Sequence, residues 1–338
     1  MLEQGKIQTE LSSAIARQSE TRWSSLFASQ STWVFLAALC AAVVLSLVTD
    51  TFATPQNIFN VTRNFAFVGI VALGMTVVII SGGIDLSVGS VLCLGAMVQA
   101  ICMNAGYGFF PSAVAALSAS ALVGFVNGAL IAWLKMPSFV VTLGTLSIAR
   151  SIAMVLSDNR MIFEFGPDQQ LLFDLGGGST FGIPHPVMAL VILALLTGFL
   201  LRWTPWGTHV FAIGANERAA VLTGVRVPTL KISVHVFAST IAGLAGILEA
   251  GWLGGVTTNL GQSMELTVIA ATVIGGANLL GGAGTIFGAI VGAALIEIIR
   301  NSLILLGIST FWQGTFVGLF IVLAVAVDRI RALRDTNL

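Results

Sequence analysis

The stretch VVIISGGIDLSVGS at 77–90 sets a glycine pair and one carboxylate between two oily runs. Backbone polar groups or a charge left unsatisfied in hydrocarbon cost several kcal/mol, so a chain breaks itself here only where the freed groups find partners or line a cavity. Glycine reaches backbone angles closed to other residues. The reading is therefore a helix that ends within Ser81, Gly82 and Gly83 and a second that begins at Asp85, whose carboxylate caps it. An acid at a helix N-terminus gains from the dipole and the free N–H groups, so capping alone accounts for Asp85. Lining a polar pathway is its second candidate role, compatible with the first.

The oil around this break is membrane oil. Of 338 residues, 56% are hydrophobic and 9% charged, against about 25% charged in soluble domains, and the mean hydropathy is +0.97. The expected fold class is an all-α integral membrane protein of about ten transmembrane helices, some broken or halved, with an internal two-fold repeat. Apolar windows of membrane length centre near Leu39, Val68, Leu94, Leu122, Leu146, Ile192, Thr240, Ala271, Ala293 and Leu319. Residues 1–30 read as a polar cytoplasmic segment, 31–328 as the membrane domain and 329–338 as a cytoplasmic tail. The first span is read as retained, since no convincing cleavage site follows it.

Fifteen basic and fifteen acidic residues cancel, so no global field draws in nucleic acid. With both ends cytoplasmic, eleven basic residues fall inside and four outside, at Arg63, Arg150, Arg160 and Arg300, as the positive-inside rule asks. The segment 157–184 is then the longest external loop. Cys40, Cys93 and Cys102 all sit in apolar runs without metal-ligand spacing, and read as small buried hydrophobes.

The break has a second copy. Gly82, Gly83, Ile84, Asp85 and Leu86 match Gly275, Gly276, Ala277, Asn278 and Leu279, 193 residues on. Transporters are often built from two halves with broken helices where substrate passes. Both copies fall near the cytoplasmic side by the span count, which makes the halves parallel; one miscounted half-helix would invert them. Gly284, Gly288 and Gly292, like Gly124 and Gly128 beside Asn127, repeat every four residues and are expected to pack helix on helix. Ser81, Asn127 and Asn278 are candidate hydrogen-bonding groups along a pathway. Glu297 has Arg300 three residues on and reads as an ion pair, whereas Glu249 has no such neighbour in its own helix.

The segment GTHVFAIGANERAAVLTGVRVPTLK at 207–231 is read as carrying a short cytoplasmic helix. Asn216 serves as N-cap, Glu217 suits the positive first turn, Ala219 and Ala220 favour helix, Gly224 closes it and Pro228 forbids continuation. An interfacial turn is the plain reading; a helix fitted to a groove on another protein is the functional one.

The elements GMTVVIISGGIDLSVGS at 74–90, IGANERAAVLTGV at 213–225 and ELTVIAATVIGGANLLGGAGTIFGAIVGA at 265–293 resemble the permease subunits of the ribose, arabinose, galactose and xylose group of bacterial ABC sugar importers. That resemblance implies a two-subunit channel in the inner membrane, either a homodimer or a pair with a sister chain. It further implies a cytoplasmic ABC ATPase and a periplasmic sugar-binding protein. Asn216, Glu217, Ala219, Ala220 and Gly224 are implied as the segment coupled to the ATPase. The family often has a basic residue where Ala283 stands and an aromatic where Met264 stands, so the substrate stays open. No GxxxxGK[ST] phosphate loop occurs, so the chain is expected to hold no cofactor of its own and to depend on partners that use ATP.

Two rivals share parts of this reading. An ion-coupled secondary transporter would use Asp85, Glu249 and Glu297 as coupling groups, and an amino-acid permease is the alternative within the ABC class. A membrane enzyme has less support, because His185, His209 and His235 lie far apart without a supporting pattern.

Overall fold

The computed structural model describes residues 30–312, 314–316, 318, 319 and 322. The expected segments 1–29 and 329–338 lie outside the described residues, and the span centred near Leu319 lies largely so. Helices α1 (Gln30–Val48), α2 (Pro55–Ile80), α3 (Val88–Asn104), α4 (Phe109–Trp133) and α5 (Ser138–Leu156) come first. The segment 157–184 then carries α6 (Gln169–Gly177) and a hairpin of β1 (Ser179–Thr180) with β2 (Ile183–Pro184). After it come α7 (His185–Trp203), α8 (Pro205–Leu222), α9 (Val227–Leu253), α10 (Met264–Ile274) and α11 (Ile286–Leu305). Seven of these, α1, α2, α4, α5, α7, α9 and α11, are long and apolar enough to cross a membrane. The chain is an all-α multi-pass membrane protein.

All ten expected window centres fall on helical residues, Leu319 in a stretch only partly described, but two of the named helices are short: α3 has 17 residues and α10 has 11. Both lie beside a break. Helix starts follow local chemistry, with Thr54 before Pro55, Thr204 before Pro205 and Thr285 before Ile286 each accepting a backbone N–H of the first turn.

The core lies around α2, α3 and α9. α2 is buried from Ala66 to Ile80 without interruption, whereas α1, α5 and α7 turn large apolar side chains such as Leu47, Ile148 and Leu195 outward, as lipid-facing helices do. Small residues let backbones touch. Side chains at Gly124 and Gly128 would overlap the α9 backbone at His235 and stand 2.5 Å from the Cα of Ile232, and side chains at Gly288 and Gly292 would overlap the carbonyl oxygens of Gly275 and Ala271. Both expected glycine seams therefore pack helices. Cys93 is buried and Cys102 partly so, but Cys40 lies on the exposed face of α1, contrary to expectation.

Candidate functional site

The two breaks meet. Glycine at the helix end lets each chain turn sharply: Gly82 (φ +82°) follows α2, and Gly276 (φ +100°) follows α10. The Gly282 N–H donates to the carbonyl oxygen of Ile80 at 2.9 Å, which satisfies one of the orphan acceptors at the end of α2. Between the breaks lies Gly214 of α8, where a side chain would overlap the Ile80 carbonyl oxygen and stand 2.5 Å from the Gly282 nitrogen. α2 and α10 both run antiparallel to α11, since Ile80 lies against Gly284 while Asn57 bonds Asn301, and Gly275 lies against Gly288 while Ala271 lies against Gly292. The break elements are thus parallel and open at the same end.

The paired Asp85 and Asn278 work alike. Asp85 Oδ1 accepts from the Ser87 N–H at 2.8 Å, and Asn278 Oδ1 accepts from the Leu280 N–H at 2.9 Å, the same turn two residues on in each copy. The helix ends, however, differ by one residue, because the left-handed glycine is the first of the pair in one copy and the second in the other. The second helix also starts later than expected. α3 begins at Val88 with Ser87 before it, so Asp85 does not cap the helix but closes a turn ahead of it.

Asp85 heads a buried polar chain. Its Oδ1 also accepts the Ser87 hydroxyl at 2.6 Å, Ser87 Oγ accepts from Asn127 Nδ2 at 3.0 Å, and Asn127 Oδ1 accepts the Thr145 hydroxyl at 2.6 Å. Asp85, Ser87 and Asn127 are fully buried. Ser138 and Thr142 of α5 hold the backbone of Ile84 from the other side. Asn127 is therefore sealed between helices in this conformation, with its amide bonded at both ends. Replacing Asn127 by leucine leaves the buried Ser87 oxygen without its donor, while the Thr145 hydroxyl keeps the Val141 carbonyl at 2.9 Å, so a cost of about 1–3 kcal/mol is expected. The expected result is a lowered midpoint of thermal inactivation in detergent.

At the open end of the breaks, the end expected from the basic residues to be cytoplasmic and for that reason called inner, lies a cleft of about 520 Å³. Ser81, Gly82 and Gly83 form one wall, Gly214 to Glu217 a second, and Ser138, Lys231 and His235 contribute from α5 and α9. The first turn of the short helix is as expected. Asn216 has non-helical angles (φ −161°, ψ 99°), its Oδ1 accepts the Ala219 N–H at 3.0 Å, and Gly224 (φ +88°) ends the element. Glu217 pairs with Lys231 at 2.8 Å, a contact not foreseen because 14 residues separate them. Ala220 is buried against the chain itself. The outward residues are Glu217, Arg218, Ala219, Val221 and Leu222. Gln30 and Ser31 of α1 bond to Val273, Ile274 and Gly275, so the start of α1 lies at this same end.

A second cleft of about 570 Å³ is bordered by Glu249, Asn259, Gln262 and Arg300. Glu249 thus finds a charged neighbour on another helix, and Glu297 pairs loosely with Arg300 at 3.6 Å, as expected. Arg150 donates to the carbonyl oxygens of Thr258 and Leu260 at 2.8 and 2.6 Å, pinning the segment that leads into the short α10. Among the described residues no cluster of His, Cys, Asp and Glu could hold a metal ion.

The comparisons agree with one another along the chain. A family model described as branched-chain amino acid transport system / permease component matches residues 57–325. The ribose import permease protein RbsC of Bacillus subtilis is 36% identical over 295 residues, covering 87% of this chain and 91% of the relative. Its Escherichia coli K12 counterpart is 35% identical over 294 residues, covering 87% and 92%. The L-arabinose ABC transporter permease protein AraH of Azospirillum brasilense is 34% identical over 300 residues, covering 88% and 87%. No solved structure matches. With its breaks, clefts and helices in this arrangement and relatives of this closeness, the chain is a multi-pass membrane protein of the permease family described as branched-chain amino acid transport system / permease component.

Proposed function

We propose that this chain is the membrane permease of an ABC importer for a neutral sugar or polyol, located in the bacterial inner membrane with both termini cytoplasmic. The observation that carries the reading is identity of about 35%, over nearly the whole length, to permeases named for ribose and arabinose import. Two permease subunits form the channel, identical or sister chains. A cytoplasmic ATPase spends ATP, and an external binding protein delivers the solute. The outward face of Asn216, Glu217 and Ala219 receives the ATPase, and Gly224 ends the element it moves. Force applied there reaches both breaks directly, because Gly214 touches Ile80 and Gly282. Motion of 207–231 against Ser81, Gly82, Gly83, Asp85, Gly275, Gly276 and Asn278 then switches the pathway between outward and inward access. The pathway needs hydrogen-bonding groups more than countercharges, which suits an uncharged cargo.

The test is uptake into proteoliposomes holding the chain with its ATPase and binding protein. Labelled ribose, arabinose or allose is expected to accumulate only with ATP and only with all components. Uptake by the chain alone, driven by a proton or sodium gradient, would overturn the reading. Accumulation of leucine in place of any sugar would assign the system to amino acids.

A further inference from the structure

His235 lines the inner cleft from α9 and is 2% exposed. Its Nδ1 lies 2.9 Å from the carbonyl oxygen of Lys231, one helical turn back. A carbonyl only accepts, so Nδ1 carries the ring proton and Nε2 is left as the acceptor. Nothing among the described residues donates to Nε2. Buried acceptors are normally paired, and a leucine or phenylalanine here would bury the same surface without an orphan. Nε2 itself is closed off in this conformation, so the residue type calls for a donor that reaches it from the cleft when that wall opens.

The rest of the cleft selects the kind of donor. Glu217 and Lys231 neutralise each other at 2.8 Å, so neither a cation nor an anion finds an unpaired countercharge in that pair. The Ser138 hydroxyl accepts the Ile84 N–H at 3.1 Å and keeps its own hydrogen free to donate, while Phe139 and Leu280 supply apolar wall. One acceptor, one hydroxyl donor and an apolar flank in about 520 Å³ suit a small neutral molecule with several hydroxyls.

We propose that the inner cleft is a binding site for a neutral polyhydroxy solute on the cytoplasmic side, with His235 Nε2 accepting a solute hydroxyl. It rests for its solute class on the sugar-permease reading. Lys231 joins this site to the moving segment, since its backbone carbonyl fixes the His235 ring while its ammonium holds Glu217. Loss of solute and release of the segment are coupled through that one residue.

The chain has only three histidines, so ¹⁵N-histidine labelling of the full chain in lipid nanodiscs gives a resolvable spectrum. His185→Gln, His209→Gln and His235→Gln assign the signals by loss of each. The unprotonated Nε2 signal of His235 is expected to move upfield with ribose, arabinose or allose, and to stay fixed with trimethylamine N-oxide, which has no donor. In the complete transporter, His235→Phe is expected to lower uptake of that sugar about fivefold to tenfold while the amount of bound ATPase is unchanged. A His235 signal that moves with none of the three sugars overturns the site, whatever the uptake assay gives. A signal that moves while the wild-type complex accumulates no sugar upholds the site and overturns the importer reading instead.

Discussion

Replacing Gly214 by alanine is expected to disable the protein more than any other single methyl group added to it. The new Cβ would overlap the carbonyl oxygen of Ile80 and sit 2.5 Å from the nitrogen of Gly282, so both neighbours are backbone and neither can swing aside as a side chain would. The hydrogen bond between those two backbone groups, 2.9 Å long, must open to make room. Overpacking costs about 1–3 kcal/mol where side chains can adjust. Here a buried hydrogen bond is lost as well, so a total of about 3 kcal/mol or more is expected. The measurement is the yield of folded permease by size-exclusion chromatography and its thermal inactivation midpoint, with Gly198→Ala as control. Gly198 has open space where its Cβ would go, and that variant should behave as wild type. Equal stability of the two variants would mean that the breaks do not meet at Gly214.

The parts of this site that were legible in the sequence are those whose signal is local. A glycine pair and an acid in an otherwise oily run mark a break, because few other sequences can satisfy a freed backbone in a membrane. The cap at Asn216 and the stop at Gly224 are likewise read from residue type and spacing. What was not legible depends on residues far apart in the chain. Nothing in IGAN singles out Gly214 as the contact between the two breaks. Asn127 looked like a pathway residue because a polar group in a span invites that reading, yet Ser87 and Thr145, 40 and 18 residues away, already occupy its amide. His235 was set aside because no enzyme pattern supports it, although its orphan nitrogen becomes visible once the i−4 carbonyl is seen to take the other one. α10 read as a full span because Ala277, Leu279 and Leu280 beyond its end extend the hydropathy of an 11-residue helix. The burial of Ala220 was not legible because a helix only two turns long is too short for its buried side to show as a period.

The second large effect concerns that outward face. Leu222 is 88% exposed and Val221 55% exposed at the tip of the short helix, next to the chain reversal at Gly224. Two large apolar side chains at a polar membrane surface are retained where a partner covers them. In the importer reading that partner is the ATPase, and Leu222 is the anchor. Leu222→Asp is therefore expected to weaken ATPase association by about 2 kcal/mol or more, roughly thirtyfold, and to abolish ATP-driven uptake. The substitution should leave the permease itself stable within about 0.5 kcal/mol, since the side chain is almost wholly exposed. Ala220→Asp makes the informative contrast. Its side chain would enter the buried cluster with Val210 and Ile213, so it should lower permease stability before any partner is present. Co-purification of the ATPase with each variant, alongside thermal inactivation of each permease alone, separates the two causes. If Leu222→Asp retains the ATPase, the tip faces lipid headgroups and force enters the permease elsewhere along 207–231. If it loses the ATPase while its own stability is unchanged, the path runs from Leu222 through the Asn216 kink to Gly214, and from there into both helix breaks at once.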